Sequence, residues 1–242
     1  MPAILLVALL VIVAQGWSGG RSFAGRVAAL AGRTSRPRMI VGWAAGTAIT
    51  YGLSALVALA LMGRIAGMTA MPDELRQTAW QLGLPADPAW IGWLFGYLTV
   101  GLALGITILA IRRWLGKAPI GLRYRSPAAA GRPDERLAAA LLAISAGVSE
   151  ELFFRLALPL LGTLVTGSGA AGLTIATAAF AAGHRHQGKL GIMLSGMIGA
   201  WLAYLYLLTG ALWLVMTIHA VIDLHALVVR PWISGGVVVK SA

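Results

Sequence analysis

The sequence predicts an all-α integral membrane protein, a polytopic bundle of about seven transmembrane helices. Three observations lead to this prediction. Hydrophobic residues make up 59% of the 242 residues and charged residues only 11%, which leaves few charges to solvate a globular surface. The mean hydropathy is +0.82. The apolar residues gather in runs that approach the roughly 20 residues needed to cross a bilayer. The predicted spans are Pro2–Trp17, Met39–Met62, Trp90–Ile111, Leu137–Leu161, Ala170–Gly183, Leu190–Leu208 and Ala211–Val229.

The first apolar run, Ala3 to Ala14, is predicted to be a retained transmembrane helix. A signal peptide carries its positive charge before the apolar region. Here the five arginines between Arg21 and Arg38 all follow the run. The N-terminus is therefore expected on the outer side of the membrane.

The basic residues predict how the chain is oriented. The loops Ser18–Arg38 and Arg112–Arg136 are rich in arginine, whereas Gly63–Ala89 between them carries more acids than bases. Basic loops prefer the cytoplasmic side, and the two spans predicted between them return the chain to that side. We therefore expect a multi-pass protein of the plasma (inner) membrane of a prokaryote, with its C-terminus in the cytoplasm. The later bases expected on the same side are Arg185, Lys189, Arg230 and Lys240.

The formal net charge of +11 is interpreted as contact with anionic lipid, and nucleic acid is not expected as a partner. The reason is that the bases lie mainly in loops between apolar runs, where bilayer orientation accounts for them. The chain has no cysteine. Disulfides, thiolate nucleophiles and cysteine-ligated zinc are therefore excluded.

An ionisable cluster stands inside the apolar stretch Leu137–Leu164. It contains Glu150, Glu151 and Arg155. An ionisable side chain near the bilayer centre costs roughly 2.5–3.5 kcal/mol on insertion scales, so such residues indicate function. Of the eight acidic residues, five lie in predicted loops, and Asp223 is the third acid predicted within a span.

Helical geometry separates the two glutamates. Glu151 and Arg155 are one turn apart with the acid first, which is the favourable order for an ion pair. Glu150 points about 100° away, because an α-helix has 3.6 residues per turn. It is therefore expected to lack a partner within its own helix. A single buried ionic staple made of all three residues is the structural alternative.

Two further pairs have helical spacing, His219 with Asp223 and Phe180 with His184. A carboxylate one turn from an imidazole can orient it and fix its tautomer, although such a pair can also merely anchor a helix. Glu150, His184, His219 and Asp223 together supply a base, two imidazoles and an orienting acid. These groups can activate a water molecule and stabilise an oxyanion. Glu150, His184 and His219 also suit a divalent metal such as zinc.

The three patterns together resemble those of the CPBP intramembrane proteases. They are Glu-Glu-x-x-x-Arg, Phe-x-x-x-His and His-x-x-x-Asp, in that order along the chain. This family includes the CAAX prenyl endopeptidases and the bacteriocin-processing or self-immunity proteins. The resemblance covers roughly residues 137–229. We therefore expect one structural domain overall, with N-terminal transmembrane helices and cytoplasmic loops in residues 1–136 and a CPBP-like catalytic core in residues 137–242.

The resemblance implies a role for each residue of the motifs. Glu150 with His184 would activate the attacking water, and His219 with Asp223 would stabilise the oxyanion or help to hold a metal. Many members carry asparagine where this chain has Asp223, and a carboxylate cannot donate a hydrogen bond unless it is protonated. The supporting residues would be Glu151, Arg155 and Phe180.

The expected function is hydrolysis of a peptide bond in a membrane-associated protein or peptide, near its C-terminus by resemblance. The alternatives are a non-catalytic scaffold or bacteriocin-immunity protein and a proton-coupled transporter. Other intramembrane protease classes fit less well. The chain has no His-Glu-x-x-His motif and only one aspartate in a span, and Ser195 lacks a Gly-x-Ser-Gly context.

Overall fold

The computed structural model describes residues 1–16, 35–116 and 128–233, together with Ala29 and Ser126. Over these residues the chain is helical without any strand, which confirms the predicted all-α class. Most of the basic loop Ser18–Arg38 lies outside the described residues, as do residues 117–125 and 127 of the loop Arg112–Arg136, Trp17 and Lys240.

Eight helices organise the described part of the chain. Each predicted span coincides with one of them, and an additional helix, α3, lies in the predicted loop Gly63–Ala89. The helices are α1 (Pro2–Gly16), α2 (Arg36–Leu61), α3 (Asp73–Gln81), α4 (Trp90–Trp114), α5 (Pro133–Thr166), α6 (Gly169–Gly183), α7 (Gly188–Thr209) and α8 (Leu212–Trp232).

Five segments of the described chain are long and apolar enough to cross a membrane, and α1 is shorter. One of the five, Gly169–Thr209, contains both α6 and α7. The chain reverses between them at Gly188, whose φ of +79° is a conformation that favours glycine. A Cβ on Gly196 would contact Ala181, and one on Gly199 would contact Phe180, so the two helices are antiparallel. Because five segments meet the length for a span and α1 is shorter, the predicted number of seven spans is approximate.

Helix α5 is the centre of the bundle and packs against α1, α2, α6 and α8. Small residues permit the closest approaches. A Cβ on Gly147 would lie 2.6 Å from the backbone nitrogen of Ala220 in α8, and a Cβ on Gly162 would lie 2.7 Å from Gly172 in α6. Glycine at both positions lets the backbones meet, as is common in membrane helix packing.

A π-helical turn at Leu152–Ala157 interrupts α5 directly after Glu151. Pro159 supplies the physical reason. Proline has no N–H and its ring clashes with the carbonyl four residues earlier, here that of Arg155. The preceding turn widens in response, and such π turns are frequent at functional sites. The chain from Glu151 to Gly162 is buried throughout.

Buried Glu135 fixes the first turn of α5. Its carboxylate pairs with Arg36 at 3.0 Å and with Arg132 at 3.5 Å, and it accepts a hydrogen bond of 2.6 Å from the N–H of Gly131. Arg36 also donates to the carbonyl of Ala129 at 3.1 Å. The start of α2 and the segment before α5 are thereby held at one end of the bundle.

Candidate active site

One carboxylate, that of Glu151, joins two helices at the centre of the bundle. Its Oε2 lies 3.1 Å from Nε of Arg155, and its Oε1 lies 2.6 Å from Nδ1 of His219. The side chains of Glu151 and Arg155 are 0% and 1% exposed. The ion pair with Arg155 is the one that the helical spacing predicts. The hydrogen bond to His219 is a contact that sequence reasoning missed.

The close packing of α5 on α8 makes this hydrogen bond attainable. Gly147 lies one turn before Glu151 in α5, and Ala220 follows His219 in α8. Because Gly147 and Ala220 are nearly in backbone contact, the two functional side chains meet directly. A larger residue at position 147 would separate the helices at this level.

The ring of Phe180 packs against Arg155 and against both imidazoles. The guanidinium carbon of Arg155 lies 4.5 Å from the ring centroid, a distance typical of a cation–π contact. The ring centroids of His184 and His219 lie 4.7 Å and 5.9 Å from that of Phe180. A Cβ on Gly199 in α7 would lie 2.9 Å from the ring, so glycine there leaves room for it. Phe180, which lies in α6, therefore helps to position the rings of both histidines.

The ring of His184 has a defined proton arrangement when it is neutral. Its Nδ1 lies 2.9 Å from the carbonyl oxygen of Phe180. A carbonyl can only accept a hydrogen bond, so Nδ1 donates and the neutral ring keeps its lone pair on Nε2. Nε2 of His184 is thus available to accept a proton, bind a water molecule or ligate a metal.

His219 is held by a different acid from the one the sequence predicts. Its Nδ1 bonds to Glu151, while Nε2 lies 3.8 Å from Oδ2 of Asp223. Glu151 is therefore the hydrogen-bonded carboxylate, and Asp223 faces the other ring nitrogen. The Asp223 carboxylate also interacts electrostatically with Glu150 and His184.

Glu150 differs from its neighbour in having no partner. Its half-buried side chain makes no hydrogen bond and no ion pair with another described residue. The charges of His219, Glu151 and Arg155 all act on it. The unpaired second acid is the arrangement that the helical spacing predicts. Glu150 and His184 make no direct hydrogen bond with each other.

The donor atoms at the site are of the kinds that bind zinc, namely imidazole nitrogen and carboxylate oxygen. Among the described residues, however, no three histidine or acidic side chains gather in an arrangement that could hold a metal ion. The predicted ligands Glu150, His184 and His219 therefore do not meet at one point.

Tyr51 of α2 also belongs to the site and was missed by sequence reasoning. Its ring lies edge-on to Phe153, with centroids 5.1 Å apart, and tilted against Phe154, with centroids 5.3 Å apart. The charge of Glu150 acts on its hydroxyl group. A single tyrosine in an apolar span carries no motif, and only the packing of α2 on α5 reveals it.

An apolar groove of about 530 Å³ lies on the α6–α7 hairpin and is lined in part by Leu84, Leu173 and Leu207. None of the site residues named above lines it. The chemistry of the site is therefore separate from this groove.

The fold and the site define a polytopic α-helical membrane protein with a glutamate–histidine centre built on its central helix. Residues 133–225 match the family model described as type II CAAX prenyl endopeptidase Rce1-like. This match confirms the resemblance to the CAAX-type, CPBP family of proteases, and it includes every predicted site residue. No curated protein and no solved structure matches the chain.

Replacing Glu151 by glutamine is expected to destabilise the protein, because Arg155 and His219 lose the charge that they share. Removing one partner of a buried ion pair typically costs about 3–5 kcal/mol. Thermal unfolding of the purified protein in detergent measures the effect. The matched control is Glu150→Gln, the same change at the adjacent position, which has no partner to lose. Equal unfolding temperatures for the two variants would contradict the assignment of Glu151.

Proposed function

We propose that the protein is an intramembrane endopeptidase of the CAAX-protease type that hydrolyses a peptide bond in a membrane-associated protein or peptide. The observation that carries this proposal is the unpaired carboxylate of Glu150, on which the charge of His219 acts, together with the rings of His184 and His219 that both pack on Phe180. In both rings Nδ1 is already engaged, so Nε2 is left for chemistry.

In the proposed mechanism Glu150 is the general base. Its carboxylate takes a proton from a water molecule as the water oxygen attacks the carbonyl carbon of the scissile bond. The lone pair on Nε2 of His184 accepts a hydrogen bond from the same water and orients it. When the tetrahedral intermediate collapses, the carbon–nitrogen bond breaks and Glu150 returns the proton to the leaving amine.

His219 would stabilise the negative charge on the carbonyl oxygen. With Nδ1 held by Glu151 and Nε2 facing Asp223, the ring can carry protons on both nitrogens, and the two carboxylates balance its charge. A protonated Nε2 can donate a hydrogen bond to the oxyanion. Asp223, whose Oδ2 lies 3.8 Å from the same nitrogen, attracts the charged ring and so helps to keep it in position.

A non-catalytic scaffold would explain the buried ions of Glu151, Arg155 and His219, but it would not explain why an unpaired acid stands at position 150. Arg155, Glu151 and His219 already balance one another as a structural unit. An additional half-buried acid without a partner is costly in a membrane protein and adds no contact. The unpaired acid therefore favours an enzyme over a scaffold or immunity protein.

We propose the cytoplasm for the end of the bundle where α2 and α5 begin and α8 ends. Arg36 and Arg132 meet at this end around Glu135, and Arg136 lies over the ring of Trp232, with its guanidinium carbon 5.8 Å from the ring centroid. Bases together with an interfacial tryptophan are typical of the cytoplasmic membrane surface. We also propose that the N-terminus lies outside and that the membrane is the plasma membrane of a prokaryote. The substrate would reach the site along the bilayer.

The proposed function predicts that Glu150→Gln strongly slows cleavage while the protein stays folded. The assay uses the full chain in liposomes and fluorogenic peptides ending in Cys, two aliphatic residues and a final residue, with and without a prenyl group on the cysteine. Because general acid–base catalysis typically contributes about 10²–10⁴-fold, we expect kcat to fall by that factor.

Asp134→Asn is the control for Glu150→Gln, since Asp134 is an exposed acid paired only with Arg132, far along α5 from the site. It should cleave like the wild type. A Glu150→Gln protein with wild-type activity would show that Glu150 is not the base.

A zinc-dependent reaction is the alternative, with Glu150, His184 and His219 as the predicted ligands. These side chains are not gathered around one point in the described chain, so we expect cleavage to survive complete chelation, verified by elemental analysis. Loss of activity that zinc alone restores would instead identify the three residues as metal ligands.

A further inference from the structure

A tetrahedral intermediate needs hydrogen-bond donors, and few at this site are available. The guanidinium nitrogens of Arg155 make no hydrogen bond, but the side chain is 1% exposed and lies against Glu151 and the ring of Phe180. The Ser149 hydroxyl donates to the carbonyl of Ser145, and the Ser145 hydroxyl donates to the carbonyl of Ala44 at 2.8 Å. Asp223, as a carboxylate, has no proton to donate. Nε2 of His219 is one donor, and oxyanion holes usually combine two or more.

The hydroxyl of Tyr51 is a donor on which the charge of Glu150 acts, and it has no partner among the described residues. Its neighbour Thr50 also has an unpartnered hydroxyl, but that oxygen is buried and makes no contact that ties it to the site. Tyr51 is half-buried, so its hydroxyl is not sealed inside the bundle.

Packing fixes the position of Tyr51 from two directions. It lies in a π-helical turn of α2, Ala48–Leu53, and the following residue, Gly52, fits against Ser149, with a Cβ there 3.1 Å from the serine Cβ. The tyrosine ring packs on Phe153 and Phe154, about one turn beyond Glu150 in α5. Tyr51 is therefore held against α5 about one turn from the proposed base, by contacts that do not involve its hydroxyl.

We infer that Tyr51 is a further catalytic residue whose phenolic O–H donates a hydrogen bond to the oxyanion formed during peptide hydrolysis. This inference rests on the proposed function. The phenol stays protonated throughout, because it only donates a hydrogen bond while the proton of the attacking water passes to Glu150. Tyr51 thus supplies a neutral donor at a site where Asp223 has none.

The test is the Tyr51→Phe variant in the liposome assay with the same fluorogenic peptides. Phenylalanine keeps the ring contacts with Phe153 and Phe154, so the unfolding temperature should not change. Removing one oxyanion donor typically lowers kcat by about 10²–10³-fold, and we expect this loss with little change in KM. Thr50→Val, which removes the adjacent unpartnered hydroxyl, is the matched control and should cleave like the wild type.

The outcomes separate this inference from the proposed function. A wild-type protein that cleaves, with Tyr51→Phe equally active or changed only in KM, overturns the inference and leaves the proposed function standing. A loss in Thr50→Val as large as that in Tyr51→Phe also overturns it, because the effect would then not be specific to the phenol. A wild-type protein that cleaves none of the peptides overturns both.

Discussion

The buried carboxylate of Glu151, shared between Arg155 and His219, is the interaction on which the rest of the site depends. It joins α5 to α8 with a hydrogen bond of 2.6 Å and balances a guanidinium that is almost fully buried. Neither positive group has another carboxylate within hydrogen-bonding distance in the described chain. The ring of Phe180 packs on Arg155 and also on the ring of His184 at the end of α6, so the position of His184 depends on the same ion pair. One acid therefore sets the positions of groups on three helices.

The two adjacent glutamates divide structure from chemistry. Glu151 is enclosed and interacts with both Arg155 and His219, whereas Glu150 is half-buried and unpaired. Both histidines follow the same principle, since one ring nitrogen of each is held by the protein and the other is left for reaction. This arrangement preorganises the reactive atoms without neutralising them, which is how electrostatic catalysis avoids reorganisation during the reaction. Tyr51 fits this description as well, because its ring is fixed and its hydroxyl is unengaged.

The sequence predicts those features that depend on neighbouring residues in one helix. The pair of Glu151 with Arg155 and the isolation of Glu150 both follow from the helical repeat, and composition is enough to predict the all-α class. The hydrogen bond to His219 and the contact of Tyr51 with the site could not be predicted in this way. Both depend on how closely α8 and α2 approach α5, and that distance is set by Gly147 and Gly52. Nothing in the spacing of the chain encodes which helix faces which.

The protonation of His219 tests the central role of Glu151 most directly. In protein labelled with ¹⁵N-histidine, NMR distinguishes a protonated from an unprotonated ring nitrogen, and a His219→Asn variant identifies the signals. With Nδ1 donating to Glu151 at 2.6 Å, the account predicts that Nδ1 carries a proton at neutral pH, whatever the state of Nε2. A neutral ring with its only proton on Nε2 would contradict it, because Nδ1 could then make no hydrogen bond to the Glu151 carboxylate.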